Sequence, residues 1–325
     1  MAAATLAAES TSQWLFPVSA LYQTPSRVAS NIPLEKELYD RSRGVEFLYR
    51  LGVSLLLPSS AMYTAATWFH RFYMRYSMDD YHRQDVAATC IFLATKTEEC
   101  GRKLRDVAKV FCSKVSNQHI NQVADDSKEV EECQNSILFV EEVLLEGLCF
   151  DFVVDNPQSD LIDLYAAHPA NTPIEDCAWS IANDSFRTPL CILFPPRIIA
   201  AACYVLAEHA VEGPLAAPID PRLASPAPSA SLPTPPSHKA SPGGPRRAIE
   251  FFSFSPAELA NVADAIGILL EYYGAQDQRG SGDWLASVAS IRPPQSAARR
   301  EALYKPFVQV TQLAGSSLNA PPPPR

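Results

Sequence analysis

The stretch Trp68-Phe-His-Arg-Phe-Tyr-Met74 and, further on, Ile91-Phe-Leu-Ala-Thr-Lys-Thr-Glu-Glu99 each lie inside an apolar run with helical spacing. No segment shows the alternation that would favour a strand. Proline supplies the punctuation. A short helical piece around 14–22 stops before Pro25, and a helix from Leu34 to about Leu57 ends at Pro58. Ser59 or Ser60 is placed to cap the next helix, over 60–76. Helices follow over 83–99, with Gly101 as the stop, over 103–115, and from Ser127 to Leu148. Pro157 opens a second set at 157–168, 172–188 and 195–210, with an amphipathic helix at 256–273. The expected fold class is all-α, as two helical bundles in series.

A chain of 325 residues is long enough for two cores of ordinary size. Its hydrophobic fraction of 47% with 19% charged residues is globular. A net charge of −9 argues against a nucleic-acid surface, which needs clustered Lys and Arg. The eight cysteines are scattered without a Cys-x-x-Cys pair and read as reduced core thiols; the histidines show no ligand spacing. No metal or cofactor is expected. The start lacks the basic region of a signal peptide, and no apolar run reaches the length of a membrane span. Residues 213–247 hold ten of the 28 prolines among Ala, Ser and Gly, a composition that does not bury enough apolar surface to fold.

Catalytic chemistry finds no constellation. There is no Gly-rich phosphate loop, Gly-x-Ser-x-Gly elbow or His-Glu-x-x-His. Asp79-Asp80 and Asp125-Asp126 fall at helix edges or turns, where acids are solvated or act as caps. Lys96, at the polar end of an apolar helix, and Glu141, interrupting the row Leu138, Leu145, Leu148, are the charges that stand out. Taken alone, each reads as a solvated helix charge.

Together these blocks resemble the cyclin box. Trp68–Met74 and Ile91–Glu99 are similar to its second and third helices, and the likeness continues through Phe150-Asp-Phe-Val-Val-Asp-Asn-Pro157, Ala178–Ser185 and Pro195–Ala202. Trp14-x-Phe16 with Leu21-x-x-Thr-Pro-Ser-Arg27 resembles the lead-in of transcription-type cyclins of the K, L and T group. The short second box split by a Pro/Ser-rich insertion is similar to the fungal cyclin subunit of the RNA polymerase II C-terminal-domain kinase. Asp40-Arg41-Ser42-Arg43-Gly44 is too polar for the substrate-docking patch of cell-cycle cyclins. Arg41 matches the family's helix-one arginine, whose usual aspartate partner is here His70, so no buried ion pair is expected there.

The resemblance implies an organisation: lead-in 1–30, first cyclin box 31–152, second box 153–212 resumed at 250–275, disordered insertion 213–249, and a mostly disordered tail 276–325. It implies a regulatory subunit, not an enzyme, that binds and activates a cyclin-dependent kinase acting on the polymerase tail in the nucleus. Membrane and direct nucleic-acid contact play no part, and a third, non-cyclin subunit is compatible with the family. Lys96 and Glu141 match the pair that holds main-chain groups near the kinase αC helix, and Leu93, Leu145 and Phe150 match apolar kinase contacts. Core packing is the other reading of Leu93 and Leu145. A non-activating scaffold and a general-transcription-factor core are the alternative functions. Ser225, Thr234 and Ser241, each before proline, are candidate acceptors for proline-directed phosphorylation, in a loop expected to be dispensable.

Overall fold

The structure, a computed structural model, describes residues 13–168, 172–213, 219–223, 247–276, 283–295, 297 and 300–311. Among these, every regular element is helical. Five helices make the first bundle: α1 (Leu34–Ser54), α2 (Ser59–Phe72), α3 (Arg83–Thr97), α4 (Leu104–Ser116) and α5 (Lys128–Gly147). Every residue of α3 from Val86 to Thr95 is buried. A helix apolar all round must be enclosed, and α1, α2 and α5 enclose it. Its small residues Ala87, Ala88 and Ala94 let those neighbours approach. Gly44 of α1 serves the same end, since a Cβ there would lie 2.2 Å from the Phe69 ring of α2.

The second bundle repeats this logic around α8 (Pro196–Glu212), whose residues Ile198–Glu208 are all buried. Packed on it are α6 (Pro157–Ala167), α7 (Thr172–Ser185) and α9 (Pro256–Ala275). Proline occupies the first turn of α6, α8 and α9, where its missing N–H costs nothing. A capping box at Ser255 and Glu258 starts α9. The two cores do not divide where the sequence suggested. Leu34 and Leu38, at the start of α1, pack with Leu21 in the second core, whereas α1 from Val45 onward packs in the first. The first helix therefore spans both.

Some local expectations are corrected. The Pro58 position caps α2 with no side-chain bond, so neither Ser59 nor Ser60 acts as its cap. Glu99, not Gly101, is the left-handed residue ending α3 (φ 53°). The Cys100 N–H reaches the Thr95 carbonyl and the Glu99 N–H that of Lys96, the paired bonds of a Schellman motif.

Two larger corrections concern segments read as disordered. Within the insertion, Asp220–Leu223 is a helical turn whose Ile219, Arg222 and Leu223 are buried. Average composition hid two apolar residues four apart, which share one face. Arg222 pairs with Glu208 (3.1 Å) and Glu212 of α8. In the tail, Leu303, Tyr304 and Phe307 are buried, with Phe307 edge-on to Tyr39 of α1 and Tyr304 edge-on to Tyr272 of α9. Lys305 pairs with Glu35 at 2.7 Å, so the tail ties the start of α1 to α9 within the second core. Ser225, Thr234 and Ser241 lie outside the described residues.

Arg41 makes no ion pair with His70, in line with the expectation, but it does sit in a buried ion pair with Glu37 one turn earlier on α1. Arg41 Nη2 and Nε donate to Glu37 Oε1 at 2.8 and 2.9 Å, and Thr24 donates to Oε2 at 2.6 Å. A remaining guanidinium N–H reaches the His70 carbonyl at 3.0 Å. His70 itself donates from Nε2 to the Phe186 carbonyl at 2.8 Å, tying α2 to the end of α7. Burial, then the Arg41 charge, pushes the His70 pKa down to about 3. Because the folded value lies below the ordinary 6.5, the stability linked to His70 is complete above about pH 6.5 and is lost as the pH falls toward 3. Between pH 6.5 and 5 the loss should be about 1.5 kcal/mol. Urea midpoints of the wild type and His70→Gln across that range test this: parallel pH slopes would show that His70 titrates normally in the fold.

Candidate functional site

Helices α3 and α5 pack side by side, and this brings together charges 45 residues apart in sequence. Lys96 Nζ donates to both Glu141 oxygens, at 2.7 and 2.9 Å. Glu141 sits at the edge of the buried stripe of α5 and its side chain is 12% exposed, whereas that of Lys96 is 47% exposed. The ammonium also lies 4.1 Å from the centroid of the Phe92 ring, one turn back on α3. The pair is thus rigidly presented at the surface, with the carboxylate nearly desolvated and the cation open to one side.

Apolar surface continues along α5. Leu145, one turn beyond Glu141, is half-buried, and Phe150 is 64% exposed. Another Schellman motif puts them together: the Phe150 N–H bonds the Leu145 carbonyl (3.1 Å) and the Cys149 N–H that of Glu146 (2.9 Å). The left-handed residue is Cys149 (φ 53°), and Phe150 follows in the same region (φ 56°). Leu93 is different. It is 5% exposed within the first core, so it supports the face from beneath and offers almost no surface of its own.

Sequence reading missed part of this surface. Leu138 is 49% and Val153 72% exposed. Leu138 lies two turns before Leu145 and so shares its side of α5, while Leu148 of the same apolar row is wholly buried. A row of leucines carries no signal of which member faces solvent. Leu138 and Leu145 thus leave apolar surface on the side of α5 that carries Glu141.

Residues 22–153 match the model of the cyclin N-terminal domain family. Over 201 residues, 61% of this chain and 58% of the relative, it is 43% identical to cyclin pch1 of Schizosaccharomyces pombe. It is 31% identical to human cyclin-K over 198 residues, 60% of this chain and 33% of that protein. The chain thus spans less than two thirds of the length of these relatives. In structure it is similar to a chain of the yeast RNA Pol II CTD kinase CTDK-1 complex, with a TM-score of 0.59 at 17% identity, covering 95% of this chain and 86% of that one. At that identity the likeness is one of fold.

Proposed function

We propose that this chain is the regulatory subunit of a cyclin-dependent kinase that phosphorylates the C-terminal domain of RNA polymerase II, and that it works in the nucleus, where that substrate is. The observation that carries the reading is the bidentate Lys96–Glu141 pair standing beside exposed Phe150 within the stretch that matches the cyclin N-terminal domain family. The relative named cyclin pch1 and the fold shared with a chain of a polymerase-tail kinase complex support it.

The mechanism is one of selection. A kinase is active when its αC glutamate meets the lysine of strand β3 and its activation loop opens. A rigid face that binds the αC-in state more tightly moves the kinase toward that state by its differential affinity. Glu141 is suited to accept main-chain N–H groups and Lys96 to donate to carbonyls, and a partly desolvated interface makes such charge-assisted bonds strong. Phe150 and Leu145 supply the apolar contact. No catalytic atom comes from this chain.

The test is to purify the chain with its kinase and assay a heptad-repeat peptide. The kinase rate should rise roughly tenfold or more over kinase alone, as a population shift worth at least one decade requires. Tight binding without a rise in rate would make the chain a scaffold and overturn the activating role.

A further inference from the structure

The turn that presents Phe150 is held by more than its own Schellman bonds. Cys149 and Phe150 are consecutive residues at positive φ, neither of them glycine, in a conformation that side chains adopt rarely and that surrounding contacts must impose. Arg75, in the chain just after α2, reaches the Gly147 carbonyl and the Cys149 sulfur, and the contacts from the lead-in converge on Asp151, the residue after Phe150. One carboxylate oxygen accepts from the Trp14 indole N–H at 3.0 Å and from the Gln13 amide at 2.8 Å. The other accepts from the Val153 N–H at 3.3 Å. The Asp151 carbonyl faces an Arg71 guanidinium N–H at 3.4 Å, and that guanidinium stacks 5.1 Å over the Trp14 ring. Trp14 is 5% exposed, and two residues on, the Phe16 N–H bonds the Ile192 carbonyl at 2.8 Å. The lead-in is therefore pinned between the second bundle and the turn after α5. Phe152 completes the inner side, edge-on to Trp68 of α2.

We propose that the docked lead-in is a positioning element for the partner-binding face: through Trp14 and Asp151 it fixes the turn that presents Phe150. On this view Trp14 and Asp151 are positioning residues that need not touch the kinase, and Phe150 is the contact. The inference rests on the functional reading above and adds to it a source of preorganisation. A contact side chain held in its bound geometry loses less conformational freedom on binding. It also makes the apolar half of the face conditional on a segment about 140 residues away in sequence, whereas the Lys96–Glu141 half is built wholly within α3 and α5.

The experiment uses the full chain and two readouts. Amide hydrogen exchange in the free chain, followed by mass spectrometry over residues 147–154, reports the turn itself. Trp14→Ala and Asp151→Ala should each raise exchange there by roughly tenfold or more while peptides from α3 stay protected, and Asp151→Asn, whose amide oxygen still accepts from the indole, should recover most of the protection. Kinase affinity then separates positioning from direct contact. Trp14→Ala should weaken binding by roughly tenfold with Phe150 present and by less than about twofold in the Phe150→Ala background. Unchanged exchange in both alanine variants would overturn the proposal whatever the kinase does. An equal affinity loss in the two backgrounds would overturn it as well, because the lead-in would then be touching the kinase itself. Wild-type affinity in Lys96→Ala and Glu141→Ala alongside a loss in Trp14→Ala that depends on Phe150 would leave the proposal standing and strike only the role given to the charged pair.

Discussion

Glu141→Ala and Lys96→Ala are each expected to weaken kinase binding by about 2–5 kcal/mol, the usual cost of removing one member of a desolvated, hydrogen-bonded charge pair at an interface. In affinity that is roughly thirty- to several-thousand-fold. The two should differ in the free chain. Without Glu141, Lys96 is still half in water and keeps its contact with the Phe92 ring. Without Lys96, a carboxylate that is only 12% exposed loses its counter-charge beside the first core. Lys96→Ala should therefore cost more stability than Glu141→Ala, and the double variant should lose less affinity than the sum of the singles. Titration calorimetry against the kinase, with circular dichroism to confirm the fold, decides the matter. A change below about threefold in both single variants would mark them as ordinary surface charges.

The second large effect concerns Arg222, in a segment that composition alone would discard. Arg222→Ala is expected to cost about 3–5 kcal/mol of stability, because it strips the partner from a buried carboxylate and leaves a cavity. Burial already pushes the Glu208 pKa up to about 7, so in the variant Glu208 keeps its proton and remains a polar group without a donor. Replacing both residues with apolar ones, Arg222→Met with Glu208→Leu, should recover most of the loss. Urea denaturation followed by circular dichroism measures it, and a loss below about 1 kcal/mol for Arg222→Ala would show that the anchor contributes little. The same contact limits how much of the insertion is dispensable. Excising 224–246 leaves the turn Asp220–Leu223 in place, whereas a cut that begins at 214 removes Arg222.

Proline punctuation and helical period let the sequence by itself determine the helices of the two bundles, their order and most of their ends, because those signals act within one or two turns of chain. It did not by itself determine a surface: Lys96 at the polar end of an apolar helix and Glu141 interrupting an apolar row stand out as charges, but taken alone each reads as a solvated helix charge. Only the tertiary structure decided how they are used. Lys96 meets Glu141 because α3 and α5 lie side by side, and Arg41 takes Glu37 as its charged partner while meeting His70 only through hydrogen bonds. The same holds for burial. Leu93 is sealed in the core while Phe150 is open, although both are apolar residues near a helix end. Insertion and tail show the limit most clearly: Ile219, Arg222, Tyr304 and Phe307 sit in stretches whose composition predicts disorder, yet each is buried. Composition averages over a window, but burial depends on whether a few side chains meet a complementary surface far away in sequence, and no local signal encodes that meeting.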